Sequence, residues 1–487
     1  MKKAFTLSLL LGILSLPFSL FAQQTLPGLP EGLVEEIESR IDGGHYVGLQ
    51  IGYWDSTGMH FYGFGTTALK DGTVPNENTL FEIGSISKVF TGILLADRVG
   101  KGKMNLEDPV ENYLPDSVTV PERDGKKILV RQLSTHTSGL PRMPTNLNIT
   151  ASTDPFAGYD DTLLYDFLSR HKLERDIGSE ALYSNLAVGM LGHIMSLEAE
   201  TPYEELIKEN ICQPLGLTNT TISMTEDQRA RLAMPHSRGL NDHIWTFDCL
   251  AGCGAIRSTA SDMLKFLAAN AFPEGPLEDA LWLSQEVHGE QKLGEAQIGL
   301  GWIIAGGDST RVILHDGATG GYRAFAAVVQ GQKRGVVVFT NSTTDVSDIG
   351  FSILKGEKAW RTMKPTLRAL IINEIKENGL NKGIKLYKQH EKEKTPGFAY
   401  SANQLNQVAY YFLQTGEHET ASKILSKNQK LYPKDINVLL ALGDVAADQG
   451  ELKKAEGFYR QALDKRKNHS RALQKLKDIG VKLEELE

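Results

Sequence analysis

The stretch Phe81-Glu82-Ile83-Gly84-Ser85-Ile86-Ser87-Lys88-Val89-Phe90 decides how the rest of the chain is interpreted. A helical apolar rhythm runs on from it to Val99, so the segment predicts a buried helix that begins near Ser85. Ser85 and Lys88 are three residues apart, which places both side chains on one helix face. The N-terminus of a helix favours a developing negative charge there. Taken alone, the pattern also fits a capping serine followed by a surface lysine.

Further characteristic stretches follow this segment along the chain. They are Gly102–Pro115, Leu133–Pro141, Tyr183-Ser184-Asn185, Gly252–Met263 and His315-Asp316-Gly317, which runs on through Ala318–Tyr322. In this order, about residues 30 to 345 resemble the penicillin-recognising superfamily of serine β-lactamases and D-alanyl peptidases. The resemblance is to its class C β-lactamase and D-alanyl-carboxypeptidase-like branch. The order and spacing carry it, because each motif alone is common.

The resemblance implies a set of catalytic residues. Ser85 matches the nucleophile that forms an acyl-enzyme, and Lys88 matches the group that helps to deprotonate it. Tyr183 matches the phenol that passes a proton to the leaving group and later activates water. The backbone N–H groups of Ser85 and Ala318 match the oxyanion hole. His136 pairs with none of these residues in sequence, so we interpret it as structural, with a hydrogen bond to a neighbouring loop.

The resemblance also implies substrate-binding residues, and here the chain departs from the family pattern. Asn185 is expected to bind the acyl amide of the substrate and Lys88, and His315 and Gly317 are expected to border the cleft. Class C β-lactamases carry lysine where His315 stands, and a neutral imidazole attracts a substrate carboxylate less strongly. Arg323 is a candidate for supplying the missing charge.

The distribution of strand and helix patterns predicts the fold of the main domain. Two β-rich runs flank the turn residues Asp55-Ser56-Thr57-Gly58, and strand-like runs return between Ile298 and Asn341. Roughly residues 100 to 290 are rich in leucine and helix-like. We therefore predict an α+β domain, in which an antiparallel sheet is built from both ends of residues 23–355 and a helical subdomain is inserted between them.

The C-terminal part carries an internal repeat. The pairs that match at one constant spacing are Leu405 and Leu439, Ala409 and Gly443, Gly416 and Gly450, and Ala421 and Ala455. The spacing resembles the tetratricopeptide repeat, a helix-turn-helix unit of about 34 residues. We predict repeats of this kind over residues 401–480, preceded over 356–400 by a linker and an irregular helix pair. A helical hairpin without repeat ancestry is the alternative.

Charge and the N-terminus restrict the partners and the compartment. The net charge is −8, of which residues 23 to 355 hold −17 and residues 356 to 487 hold +7. An acidic main domain argues against nucleic acid as a partner. Residues 1–22 combine two lysines with a short apolar run and a small-residue exit, which predicts a secretory signal peptide. The expected location is secreted or periplasmic, with no membrane span after signal removal.

These patterns favour a serine hydrolase that works through an acyl-enzyme on a β-lactam, a D-peptide or an ester. The expected partner is a small-molecule or short-peptide substrate, with a protein partner for the repeats. The alternative is a catalytically silent sensor or adaptor. An α/β-hydrolase is disfavoured, because Ser85 lies in no Gly-x-Ser-x-Gly elbow. No cofactor or metal is implied, since Cys212, Cys249 and Cys253 match no zinc spacing.

Overall fold

The computed structural model describes residues 26–147, 154–307 and 310–481, so the predicted signal peptide lies outside the described residues. The strands are β1 Gly48–Asp55, β2 Gly58–Gly65, β3 Phe81–Glu82, β4 His236–Ser237, β5 Leu240–Asn241, β6 Arg257–Ser258, β7 Gln297–Ile298, β8 Ile303–Ala305, β9 Val312–Ala318, β10 Arg323–Val329 and β11 Gly335–Thr340. The helices of the main domain are α1 Leu33–Asp42, α2 Ser87–Gly100, α3 Val130–Ser134, α4 Asp161–Arg170, α5 Asn185–Ala199, α6 Tyr203–Ile207, α7 Gln213–Leu215, α8 Glu226–Ala230, α9 Ala260–Ala271, α10 Glu278–Gln285 and α11 Ser347–Lys355. Those of the C-terminal part are α12 Leu367–Asn378, α13 Leu380–Glu393, α14 Ala402–Gln414, α15 His418–Leu431, α16 Ile436–Asp448, α17 Leu452–Lys465 and α18 Ser470–Asp478.

The main sheet joins the two ends of the main domain, which confirms the predicted α+β architecture. Its strand order is β2-β1-β11-β10-β9-β8-β7, and every pairing is antiparallel. The hairpin of β1 and β2 pairs with β11, with Ile51 opposite Val338. These partners come from opposite ends of the domain, so their hydrophobic patterns and not local turns set this register.

Both faces of the sheet are covered, because successive side chains of a strand point to opposite sides. Val337 packs in the large core that includes Leu264 of α9. Its neighbour Val338 packs in a second core that includes Ile349 of α11 and Leu33 of α1. Helices α2 to α10 belong to the insertion between the hairpin and β7, and α2 is buried along most of its length. The insertion therefore lays α9 against β1, β10 and β11, and α2 packs on α9 through the stacked rings of Phe90 and Phe266.

The C-terminal part is an all-α module of consecutive helix pairs. Helices α16 and α17 begin one repeat period after α14 and α15, at Ile436 and Leu452 against Ala402 and His418. A side chain at Gly443 would lie 2.2 Å from the ring of Tyr459, so the two helices of this pair approach closely. Helices α12 and α13 precede α14 as a further pair.

The first residues of the C-terminal module donate hydrogen bonds to backbone carbonyls of the main domain. The Thr366 N–H donates to the Gly43 carbonyl at 2.9 Å, and the Arg368 guanidinium donates to the Gly44 carbonyl at 2.9 Å. The connecting segment before it belongs to the main core, because Trp360 is buried with α1 and α11. Within the described residues, no helix has the length and apolar character needed to cross a bilayer.

These contacts lead to a prediction about truncation. A protein that ends at Lys364 keeps Trp360 in its core and should retain most of its turnover of a small ester. It should be less stable, since the Gly43 and Gly44 carbonyls lose their donors. A protein that ends at Lys355 serves as the control, and its melting temperature should be lower still because Trp360 is lost. If the protein that ends at Lys364 is inactive but has a normal circular dichroism spectrum, the module supports the site.

Candidate functional site

The predicted nucleophile lies on a single 3-10 turn, Gly84–Ile86, that leads directly into α2. Gly84 has a positive φ of 51°, and a Cβ atom there would lie 2.7 Å from the Ala318 backbone nitrogen. A Cβ atom on Gly317 would lie 2.0 Å from the Ile83 carbonyl oxygen. Both glycines are needed because the end of β9 is pressed against this turn. The packing brings the backbone of Ala318 beside that of Ser85.

Lys88 is fully buried and donates to two oxygen atoms. Its Nζ lies 3.0 Å from the Ser85 Oγ and 2.6 Å from the Cys253 carbonyl oxygen. No carboxylate forms an ion pair with this nitrogen among the described residues. A lysine whose hydrogen-bond partners are a hydroxyl and a carbonyl is well placed to exchange a proton with that hydroxyl.

Tyr183 lies within a cluster of rings and cations beside Lys88. The Lys88 Nζ and the Arg142 Cζ are each 4.9 Å from the centroid of its ring. The ring centroids of His136 and His315 are 4.5 Å and 6.2 Å away, respectively. The predicted catalytic residues Ser85, Lys88 and Tyr183 are thus brought together, although Tyr183 comes from a segment far from Lys88 in the sequence.

His136 holds the backbone on both sides of Tyr183. Its Nδ1 accepts the Ser184 N–H at 3.2 Å, and its carbonyl accepts the Leu182 N–H at 2.9 Å. Burial, followed by the charge of Lys88, keeps the pKa of His136 well below its ordinary value. The imidazole is therefore neutral near pH 7, with Nδ1 as an acceptor. The structural interpretation of His136 agrees with these contacts.

Asn185 is the first residue of α5, and its partners differ from those expected. Its backbone N–H donates to the Arg142 carbonyl at 2.9 Å, and its Nδ2 donates to the Met143 Sδ at 3.3 Å. The predicted hydrogen bond to Lys88 is not formed within the described residues, since Lys88 uses the Cys253 carbonyl instead. A thioether is a weak acceptor, so the amide remains available to a substrate.

His315 lies on β9, buried beside the cluster. Its Nδ1 is 2.5 Å from the Asp316 carbonyl oxygen. Burial lowers the pKa of His315 to about 4. The nearby charge of Asp316 opposes this fall in the pKa, and the charge of Lys88 adds to it. The third motif therefore presents a neutral imidazole at pH 7.

Several residues at the site had no sequence signal as functional groups. A side chain at Gly320 would lie 2.6 Å from the Trp245 Nε1, and one at Gly254 would lie 3.1 Å from the Phe247 ring. These two aromatic rings therefore flank the third motif and the Cys253 turn. Their sequence neighbourhood is an irregular segment, and its approach to β9 could not be predicted from periodicity.

A buried ion pair supports the strand that leads into the nucleophile turn. Arg257 Nη2 donates to Glu82 Oε1 at 2.9 Å, and the Trp245 N–H donates to the same carboxylate oxygen at 3.0 Å. Burial raises the pKa of Glu82, and the Arg257 charge opposes that rise. Among the described residues, no group of three or more His, Cys, Asp or Glu side chains is placed to hold a metal ion.

The sequence was also compared with known families and proteins. The family model described as Beta-lactamase matches residues 33–350. The D-alanyl-D-alanine-carboxypeptidase/endopeptidase AmpH of Escherichia coli K12 is 28% identical over 359 residues, which cover 70% of this chain and 92% of that protein. A β-lactamase of Pseudomonas fluorescens is 27% identical over 333 residues, covering 61% of this chain and 88% of that protein.

Solved structures share the fold of the main domain. The β-lactamase/D-alanine carboxypeptidase of Pseudomonas syringae superposes with a TM-score of 0.58 at 22% identity, covering 66% of this chain and 97% of that one. A class C β-lactamase from Rhodobacter sphaeroides gives a TM-score of 0.57 at 22% identity, covering 66% of this chain and 97% of that one. At these identities, the structural likeness concerns the fold alone.

Proposed function

Because the chain belongs to the β-lactamase family of serine hydrolases, we propose that it forms an acyl-enzyme at Ser85 on a β-lactam, a D-peptide or an ester. The observation that carries this proposal is the 3.0 Å separation between the Lys88 Nζ and the Ser85 Oγ, next to the Ala318 backbone. A sensor that binds its ligand without covalent chemistry would not need this arrangement. The predicted signal peptide supports a secreted or periplasmic location.

The reaction begins with transfer of the Ser85 proton to the free-amine form of Lys88. The Ser85 Oγ attacks the substrate carbonyl, and the N–H groups of Ser85 and Ala318 stabilise the oxyanion. Each such donor lowers the activation barrier by about 3 kcal/mol. Tyr183 then delivers a proton to the leaving nitrogen or oxygen, and the acyl-enzyme forms. In the second half, Tyr183 accepts a proton from water, which attacks the ester, and Lys88 returns its proton to the Ser85 Oγ as that oxygen leaves.

The C-terminal module has a separate role in this proposal. Its repeated helix pairs support tetratricopeptide-like repeats that bind a protein partner. No residue of the module touches Ser85 or Lys88 through a hydrogen bond within the described residues.

Acylation by a penicillin tests the proposed function directly. The full-length protein is incubated with a fluorescent penicillin, and the intact mass and the modified peptide are measured. We expect one covalent adduct, located on Ser85. An unmodified protein that also fails to hydrolyse nitrocefin and 4-nitrophenyl acetate would contradict the proposal.

The neutral His315 predicts a selectivity that can be changed by substitution. His315→Lys places a fixed positive charge at the third motif, so kcat/KM for a cephalosporin should rise about tenfold relative to a neutral ester. For the unmodified protein the same ratio should be flat from about pH 5.5 to 8, because the pKa of about 4 keeps His315 neutral throughout. His418→Lys, which adds the same charge on α15 of the C-terminal module, is the control. A ratio unchanged in His315→Lys would show that another group already supplies the charge.

A further inference from the structure

Arg142 is an exposed arginine held beside the proposed catalytic tyrosine. Its Cζ lies 4.9 Å from the centre of the Tyr183 ring, which is within the range of a cation–π interaction. Its backbone carbonyl accepts the N–H groups of Asn185 at 2.9 Å and of Leu186 at 3.3 Å. The start of α5 therefore anchors the backbone of this arginine, and the Tyr183 ring supports its side chain.

The guanidinium of Arg142 has no acidic partner among the described residues. By contrast, Arg257 near the site is paired with Glu82, and Arg131 on the preceding helix is paired with Glu107. The sequence from 148 to 153 that follows the Arg142 segment contains no Asp or Glu. Other main-domain arginines, such as Arg323 and Arg334, also form no ion pair within the described residues, so what distinguishes Arg142 is its position against the Tyr183 ring. Its five donors form a fork that matches a carboxylate.

The other cationic positions at the site are occupied or neutral. Lys88 is buried and already donates to Ser85 and to the Cys253 carbonyl. His315 stands where a lysine would hold a substrate carboxylate, and it is buried and bonded to its own chain at Asp316. Arg142 is therefore an exposed fixed charge at the rim of the cleft.

The neighbours of Arg142 indicate which part of a substrate it faces. Met143 contacts the side-chain amide of Asn185, the residue proposed to bind the acyl amide. The Asn185 N–H donates to the Arg142 carbonyl, so the backbone of Arg142 is fixed beside the residue proposed to bind the acyl amide. We propose that Arg142 determines specificity by binding a carboxylate on the acyl portion of the substrate. This inference rests on the proposed acyl-enzyme function and specifies its substrate class.

Two esters with one leaving group test the inference. Mono(4-nitrophenyl) glutarate carries a carboxylate on its acyl part, whereas 4-nitrophenyl butyrate is neutral. We expect Arg142→Gln to lower the ratio of kcat/KM for glutarate over butyrate by about tenfold, and Arg142→Lys to restore part of it. Arg170→Gln, an exposed arginine on α4, is the matched charge control, and its ratio should stay at the wild-type value.

A second substrate pair and a second arginine sharpen the test. The ratio for 3-carboxyphenyl acetate over phenyl acetate, where the carboxylate is on the leaving group, should change less than twofold in Arg142→Gln. Arg323, at the start of β10 opposite Ala318, is the competing candidate. The inference is overturned if Arg323→Gln lowers the glutarate ratio and Arg142→Gln does not. An equal fall for charged and neutral esters also overturns it, because Arg142 would then only position Tyr183.

A binding measurement separates this inference from the proposed function. Glutaranilic acid, which has the same charged acyl group, is titrated calorimetrically into the Ser85→Ala protein, where no turnover is needed. We expect binding that weakens about tenfold when Arg142→Gln is added. Equal affinity in both proteins overturns the role of Arg142 whatever the enzyme hydrolyses. Loss of turnover on every substrate, with this binding difference kept, would instead contradict only the acyl-enzyme function.

Discussion

Ser85→Ala is expected to abolish labelling by a fluorescent penicillin and to lower ester and nitrocefin turnover by a factor on the order of 10⁴ or more. The reason is that the Oγ is the atom that would form the acyl bond, and it is the hydroxyl that Lys88 contacts at 3.0 Å. The fold should survive, because the side chain is half-buried and loses one oxygen atom only. The measurements are intact mass after labelling, steady-state rates and the melting temperature.

Ser87 is a matched control for this substitution. It lies two residues from Ser85 and is fully buried, and its Oγ accepts the Ile256 N–H at 3.0 Å. Ser87→Ala should therefore cost about 1–2 kcal/mol of the free energy of unfolding while penicillin still labels the protein. Undiminished labelling of Ser85→Ala would exclude Ser85 as the nucleophile, whatever its position in the fold.

Lys88 and Tyr183 are expected to act as one unit with Ser85. Lys88→Met and Tyr183→Phe should each lower kcat/KM by about 10²–10⁴, since each removes a proton-transfer step. The double variant should lose little more activity than the worse single variant, because removing either residue already interrupts the same proton-transfer relay. Methionine keeps most of the buried volume of Lys88, and phenylalanine keeps the ring that contacts His136 and Arg142.

Tyr165→Phe provides the matched control for the loss of a phenol. The Tyr165 hydroxyl bonds to His193 at 2.7 Å on a different part of the insertion, so this variant should keep its activity. The kinetic constants of the wild type, Lys88→Met, Tyr183→Phe and the double variant are compared in a double-mutant cycle. Losses that multiply in the double variant would show that Lys88 and Tyr183 act independently, contrary to the proposed relay.

The α+β class of the main domain and the helix that brings Ser85 and Lys88 together could be predicted from local patterns in the sequence. The apolar rhythm after Ser85 corresponds to α2, and the strand-like runs at both ends of the domain form the main sheet. The repeat spacing of the C-terminal part reappears in the bounds of its helix pairs. Such patterns are readable because helices and strands impose periods of 3.6 and 2 on the chain.

Other features of the site depended on contacts between distant segments. Lys88 donates to the carbonyl of Cys253, a backbone atom 165 residues away, and the motif that contains Cys253 does not reveal this contact. Arg142 and His136 surround Tyr183 from an earlier segment of the chain. Their roles arise from orientation, and any arginine or histidine in a loop would look alike in sequence.

The sequence by itself determined the α+β class, the order of the motifs and the residue types available for chemistry, because periodicity and motif spacing are properties of the chain. Only the tertiary structure decided that Lys88 meets the Ser85 hydroxyl, that His315 is neutral, and that Arg142 lies against the Tyr183 ring. The physical reason is that burial, charge pairing and hydrogen-bond geometry depend on which atoms surround a group. Those neighbours come mostly from segments remote in sequence.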